Sequence, residues 1–149
     1  MRTFEIANET DFETALVPWQ VTLDNVLAYF QKDSCEISLA LISDERMHEL
    51  NRQFLQHDFP TDVLTFPGDA ADPQQLSGEI IISVDTARRV AEELGVSREG
   101  ELLLYFIHGL LHLQGFDDLT ESEAPQMRKM ERHFLEQAGY RYSFETELE

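Results

Sequence analysis

Apolar and polar positions along this chain change period several times, and each change marks an element. Phe4-Glu5-Ile6-Ala7-Asn8 alternates and predicts a short strand, whereas Val21, Val26, Leu27 and Phe30 share one face of a helix that breaks at Lys32-Asp33-Ser34. Glu36 to Ser43 again reads as a strand. Ser43 or Asp44 then caps a helix whose apolar face carries Met47, Leu50 and Phe54, and Asp58-Phe59-Pro60 ends it. Val63 to Phe66 and Glu79 to Val84 read as two strands of a hairpin, joined by the long polar connection Pro67 to Gly78. Ile80, Ile81 and Ile82 imply that the second of these strands is buried on both faces.

Asp85 or Thr86 opens the next helix, which runs through Leu94 and is closed by Gly95. Ser97 caps a long helix that is apolar almost all round from Leu102 to Leu113, and a last helix from about Glu121 to Gln137 stops at Gly139. Residues after Tyr142 are expected to be loose. No repeat or low-complexity tract interrupts this order. It predicts an α/β (α+β) fold, a small mixed sheet of about four strands covered by helices. At 149 residues, the span 1–149 is expected to form a single domain.

Two histidines change the picture from fold to chemistry. His108 and His112 stand four apart on the long apolar helix and therefore share one face. A rise of about 1.5 Å per residue sets their rings roughly 6 Å apart along the axis, so that both nitrogens can converge on one ion. Gly115 can take a positive φ and end the helix, and the chain then swings back to offer Asp118 as a third ligand. Unpaired imidazoles facing each other in a core helix are costly, and a metal removes that cost. Three protein ligands leave a tetrahedral ion with an open position, the catalytic arrangement. Zn2+ suits such a set, although two histidines and a carboxylate also hold non-haem iron. The histidine spacing is zincin-like, but Gly109 stands where a zinc protease places its glutamate base, which argues against peptide hydrolysis. Gly109 serves either close approach of a substrate or tight helix packing.

Charge narrows the partners. Eleven Lys and Arg against twenty-nine Asp and Glu give a net charge of −18, which opposes general attraction to nucleic acid, so any contact with it must be local. Arg128 and Arg132 sit at the spacing of a solvated helix face. The acidic, polar first ten residues lack a signal core and no apolar run is long enough to span a membrane, so a cytoplasmic location is expected. The single cysteine, Cys35, cannot form an internal disulfide and is expected to be a buried thiol.

The ordered words Leu50-Asn51, Pro60-Thr61-Asp62-Val63-Leu64, Phe66-Pro67, Gly78-Glu79-Ile80-Ile81-Ile82-Ser83, the His108 to Asp118 stretch and Gly139-Tyr140 together resemble the YbeY family of metal-dependent endoribonucleases, over most of the chain. The resemblance implies one zinc ion held by three side chains at the end of a core helix, and single-strand-specific RNA cleavage. It also implies action in ribosomal RNA maturation, at the 16S 3′ end, and in ribosome quality control. The partners implied are single-stranded ribosomal RNA and ribosomal components, with no DNA and no membrane.

Two departures bear on the chemistry. The family commonly carries a third histidine where this chain has Asp118, and an arginine where it has Leu55. An aspartate cancels one unit of the ion's charge, which weakens its pull on phosphate and its acidification of bound water. Arg52, about one helical turn before Leu55, and His57, in the following turn, are the candidate catalytic replacements for the guanidinium. Arg52 suits phosphate oxygens, and His57 suits donation to phosphate or proton transfer, with a solvent-exposed polar role as the alternative for each. The nucleophile is either water or a 2′-hydroxyl. Two other functions share these features: a metal-dependent hydrolase of a different substrate, and a non-catalytic ribosome-associated factor with a structural metal.

Overall fold

The computed structural model of the chain describes residues 2–52, 63–69, 72–116 and 121–142. Its elements are β1 (Arg2–Asn8), α1 (Trp19–Tyr29), β2 (Ser34–Ile42), α2 (Asp44–Leu50), β3 (Val63–Pro67), β4 (Gln75–Ser83), α3 (Val84–Leu94), α4 (Arg98–Gln114) and α5 (Ala124–Gln137). The strands form one mixed sheet in the order β1-β2-β4-β3. β1, β2 and β4 run parallel, while β3 lies antiparallel to β4 as the expected hairpin.

Period-two alternation divides the sheet into two unequal faces. Ile37, Leu39 and Leu41 of β2 and Ile80 and Ile82 of β4 point into the main core, where they meet α1, α4 and α5. Phe106 of α4 anchors that core, stacked on Phe4 at 5.5 Å and met edge-on by Trp19 at 5.3 Å. The opposite face carries a smaller cluster, in which Ile42, Leu64 and Ile81 pack on Met47 and Leu50 of α2. β4 is therefore buried on both sides, as its three isoleucines imply.

Several boundaries differ from the sequence reading for identifiable reasons. β4 begins at Gln75 rather than Glu79, because Gln75 to Gly78 pairs with β2 through Ser34 to Ile37 and buries Leu76 in the main core. Val84 belongs to α3 rather than to the strand, since Ser83 is the N-cap and its hydroxyl accepts from the Thr86 amide at 3.3 Å. α1 starts at Trp19, directly after Pro18, and ends at Tyr29 rather than covering Val21 to Phe30. α5 starts at Ala124 rather than Glu121, with Pro125 in its first turn, where a missing N–H costs nothing. α2 ends at Leu50, with Asn51 and Arg52 in a widened turn. Phe54, the 58–60 stop and the tail after Tyr142 lie outside the described residues.

Ser43 rather than Asp44 caps α2, which frees Asp44 for a different task. Its carboxylate accepts from the hydroxyls of Ser83, at 2.5 Å, and Thr86, at 2.6 Å, and from the Arg89 guanidinium at 2.9 Å. Asp85 returns the favour by accepting the Asp44 amide at 2.9 Å. The N-termini of α2 and α3 are thus locked together, each by an acid from the other. Burial pushes the Asp44 carboxyl up, but the two hydroxyls and the guanidinium outweigh it and hold its pKa below the ordinary value.

Candidate functional site

α4 packs closely on β4 at Gly109, which presents no side chain to the strand. A Cβ at that position would lie 2.8 Å from Ile80 Cγ2 and 3.0 Å from its Cδ1. Tight helix packing, not room for a substrate, is therefore the task of the glycine beside His108.

The helix ends as its sequence predicts. Ser97 caps its start by accepting from the Gly100 amide at 3.1 Å. At the other end Gly115 adopts φ 112° and ψ 0°. Its amide donates to the His112 carbonyl, and the Phe116 amide donates to the Leu111 carbonyl at 2.9 Å. This paired closure turns the chain sharply out of the helix, immediately after the histidines.

His108 and His112 meet on one face of α4, with ring centroids 4.5 Å apart and planes at 78°. Their Nε2 atoms stand 2.9 Å apart. Two nitrogens bound tetrahedrally to one zinc ion at ordinary bond lengths lie about 3.3 Å apart. The observed pair needs only a few tenths of an ångström of adjustment to hold such an ion.

The other nitrogen of His108 is already engaged. Its Nδ1 lies 2.5 Å from Oε2 of Glu131 on α5, so that a proton on Nδ1 leaves the Nε2 lone pair facing His112. Glu131 accepts a second hydrogen bond, from the Tyr142 hydroxyl to Oε1, at 2.6 Å. Glu131 and Tyr142 are only 3% and 2% exposed. Burial, together with the neighbouring carboxylate, pushes the Tyr142 phenol far above its usual range and keeps it a neutral donor.

Of the residues singled out in the sequence, the structure brings His108 and His112 together. Arg52 is exposed at the end of α2, which packs on the sheet face opposite α4. Asp118, Leu55 and His57 lie outside the described residues. Among the described residues no three His, Cys, Asp or Glu side chains gather as a metal set. The donor chemistry of the histidine pair nonetheless suits a borderline-soft cation, since two imidazole nitrogens point at one place and a carboxylate backs one of them.

Sequence reasoning missed Glu131 and Tyr142. The cue for Glu131 was present: it shares the buried face of α5 with Met127, Met130, Phe134 and Leu135, and an acid in that position demands a partner. Nothing local marks Tyr142. Among the described residues no helix is long and apolar enough to cross a membrane.

Comparison with known proteins converges on one family. Residues 5–139 match the family described as Endoribonuclease YbeY. A protein of that name from Bacteroides thetaiotaomicron is 42% identical, over 76% of this chain and 81% of its own. Another, from a Nitratiruptor species, is 37% identical over 90% of this chain and 88% of its own. The solution structure of TM1509 from Thermotoga maritima superposes with a TM-score of 0.68 at 30% identity, covering 91% of this chain and 89% of that one. Extent and identity together place the matter beyond shared fold alone, and the chain belongs to the Endoribonuclease YbeY family.

Proposed function

We propose that this chain, acting as one domain over residues 1–149, is a cytoplasmic, single-strand-specific endoribonuclease. Its role is ribosomal RNA maturation, at the 16S 3′ end, and ribosome quality control. One Zn2+ ion is held by His108, His112 and Asp118. Its partners are single-stranded ribosomal RNA and ribosomal components. The reading rests on family membership for the RNA substrate. The observation that carries the metal site is the 2.9 Å approach of the two Nε2 atoms, with His108 Nδ1 occupied from behind.

A divalent ion bound there supplies a Lewis acid for the scissile phosphate and lowers the pKa of water. The chain's own residues set the stage for that chemistry. His108 and His112 present their Nε2 atoms in a fixed relation, because both stand on one helix packed on β4 through Gly109. Asp118, three residues beyond the Gly115 turn, completes the ligand set with a negative charge. Arg52 and His57 supply phosphate contacts or proton transfer, in place of the arginine absent at Leu55. Those contacts must offset the general repulsion between RNA and a chain of net charge −18.

Cleavage of an end-labelled single-stranded RNA by the metal-reconstituted wild type and by His112→Ala tests the reading. The wild type cleaves and the variant does not; equal residual cleavage by both would show a contaminating nuclease and sink the assigned site. Elemental analysis of protein purified without chelator or metal-affinity resin should find one transition-metal ion per chain. Asp118→His should keep that ion, and its loss would show a loop shaped only for a carboxylate.

A further inference from the structure

The hydrogen bonds behind His108 join three parts of the chain that are distant in sequence. The imidazole comes from α4, the carboxylate from the buried face of α5, and the phenol from the segment that follows Gly139. Both oxygens of Glu131 are used, one by each neighbour. The phenol ring is held in turn: its hydroxyl points inward to Glu131, and the Arg132 guanidinium lies 5.7 Å from its centre.

An unrestrained imidazole can flip about its last side-chain bond, which exchanges a nitrogen for a carbon at the ligand position. A carboxylate on Nδ1 prevents the flip, because only that nitrogen carries a proton to donate. An unrestrained carboxylate can rotate likewise. A donor on its second oxygen stops that rotation, and Tyr142 is this donor.

We infer that Glu131 and Tyr142 are positioning residues for the metal site: Glu131 fixes the orientation and tautomer of His108, and Tyr142 fixes Glu131. The outer shell of the site is therefore built from α5 and the segment after it, not from the helix that bears the ligands. This inference rests on the metal-site reading above and extends it to residues that touch neither metal nor RNA. A merely structural role predicts something else, a loss of stability in Glu131 and Tyr142 variants with metal affinity unchanged.

The test is zinc affinity of the full chain, measured by competition with a chromophoric chelator, together with the visible spectrum of the Co2+-substituted protein. Tyr142→Phe keeps the packed ring and removes one oxygen, while Glu131→Gln keeps the volume and removes the charge. Glu131→Gln should weaken zinc affinity about tenfold to hundredfold. Tyr142→Phe should weaken it less, and both should shift the Co2+ bands. His112→Ala, run alongside, should lose the ion altogether. Wild-type affinity and unchanged bands in both positioning variants, with His112→Ala deficient, would overturn this inference alone, whatever their melting temperatures. Wild-type affinity in His112→Ala would overturn the metal-site reading and take the inference with it.

Discussion

Asp44 and Glu131 are both carboxylates drawn into polar clusters, yet one cluster joins two helix starts and the other backs a pair of histidines. Asp44 receives two hydroxyls and a guanidinium, and every donor has an acceptor. It ties the start of α2 to that of α3 through side-chain donors alone. Glu131 also has both oxygens engaged, but its partner His108 turns a second nitrogen onto the nitrogen of another histidine. The two Nε2 atoms meet there at 2.9 Å. The first cluster ties two helix starts together, whereas the second stands behind two imidazole nitrogens, the kind of donor that suits a borderline-soft cation.

The sharpest way to break this comparison is to remove one member from each cluster. His112→Ala should abolish metal binding and lower RNA cleavage about a thousandfold or more, the several kcal/mol that a metal supplies. The fold itself should be intact by circular dichroism. Asp44→Ala should do the reverse, costing about 2 kcal/mol in urea unfolding with zinc affinity unchanged. A fall in zinc affinity for Asp44→Ala would mean that the two clusters are coupled.

Gly109→Ala probes the support between α4 and the sheet. Overpacking against Ile80, at about 1–3 kcal/mol, should offset or exceed the gain in helix propensity of about 1 kcal/mol, for a net loss of about 0–2 kcal/mol in urea unfolding. Ser97→Ala, at the far end of the same helix, should cost about 1 kcal/mol for the lost cap and leave cleavage unaffected.

Acid titration refines the contrast further. The folded pKa of Asp44 lies below its ordinary value of 3.8, so its contribution to stability is full above that value and is lost as pH falls through the lower folded value. The stability difference between the wild type and Asp44→Asn should therefore be constant at neutral pH and shrink below about pH 4. A difference unchanged at low pH would show that the carboxylate charge contributes nothing to the lock.

Much of the fold was legible because its signals are local. Alternation around Ile80 to Ile82, the serine caps and the glycine stops each report on a handful of neighbours, and each sits within a few residues of its expected place. The errors fall where a distant partner decides. Gln75 to Gly78 became strand because β2 offered a ladder and the core took Leu76, neither of which its neighbours Gln75, Ser77 and Gly78 signal. Gly109 carried two readings until Ile80 was seen against it.

The same division runs through the site. The amino-acid sequence by itself determined the histidine pair, since a spacing of four on a helix fixes a shared face, and the turn at Gly115, since a positive φ favours glycine. Only the tertiary structure decided what stands behind His108. Glu131 and Tyr142 reach it across 23 residues and more, through the packing of α5 on α4 and the course of the chain beyond Gly139. Hydrogen bonds of that kind depend on how helices dock, and helix docking is set by the buried surface of the whole core rather than by any local pattern.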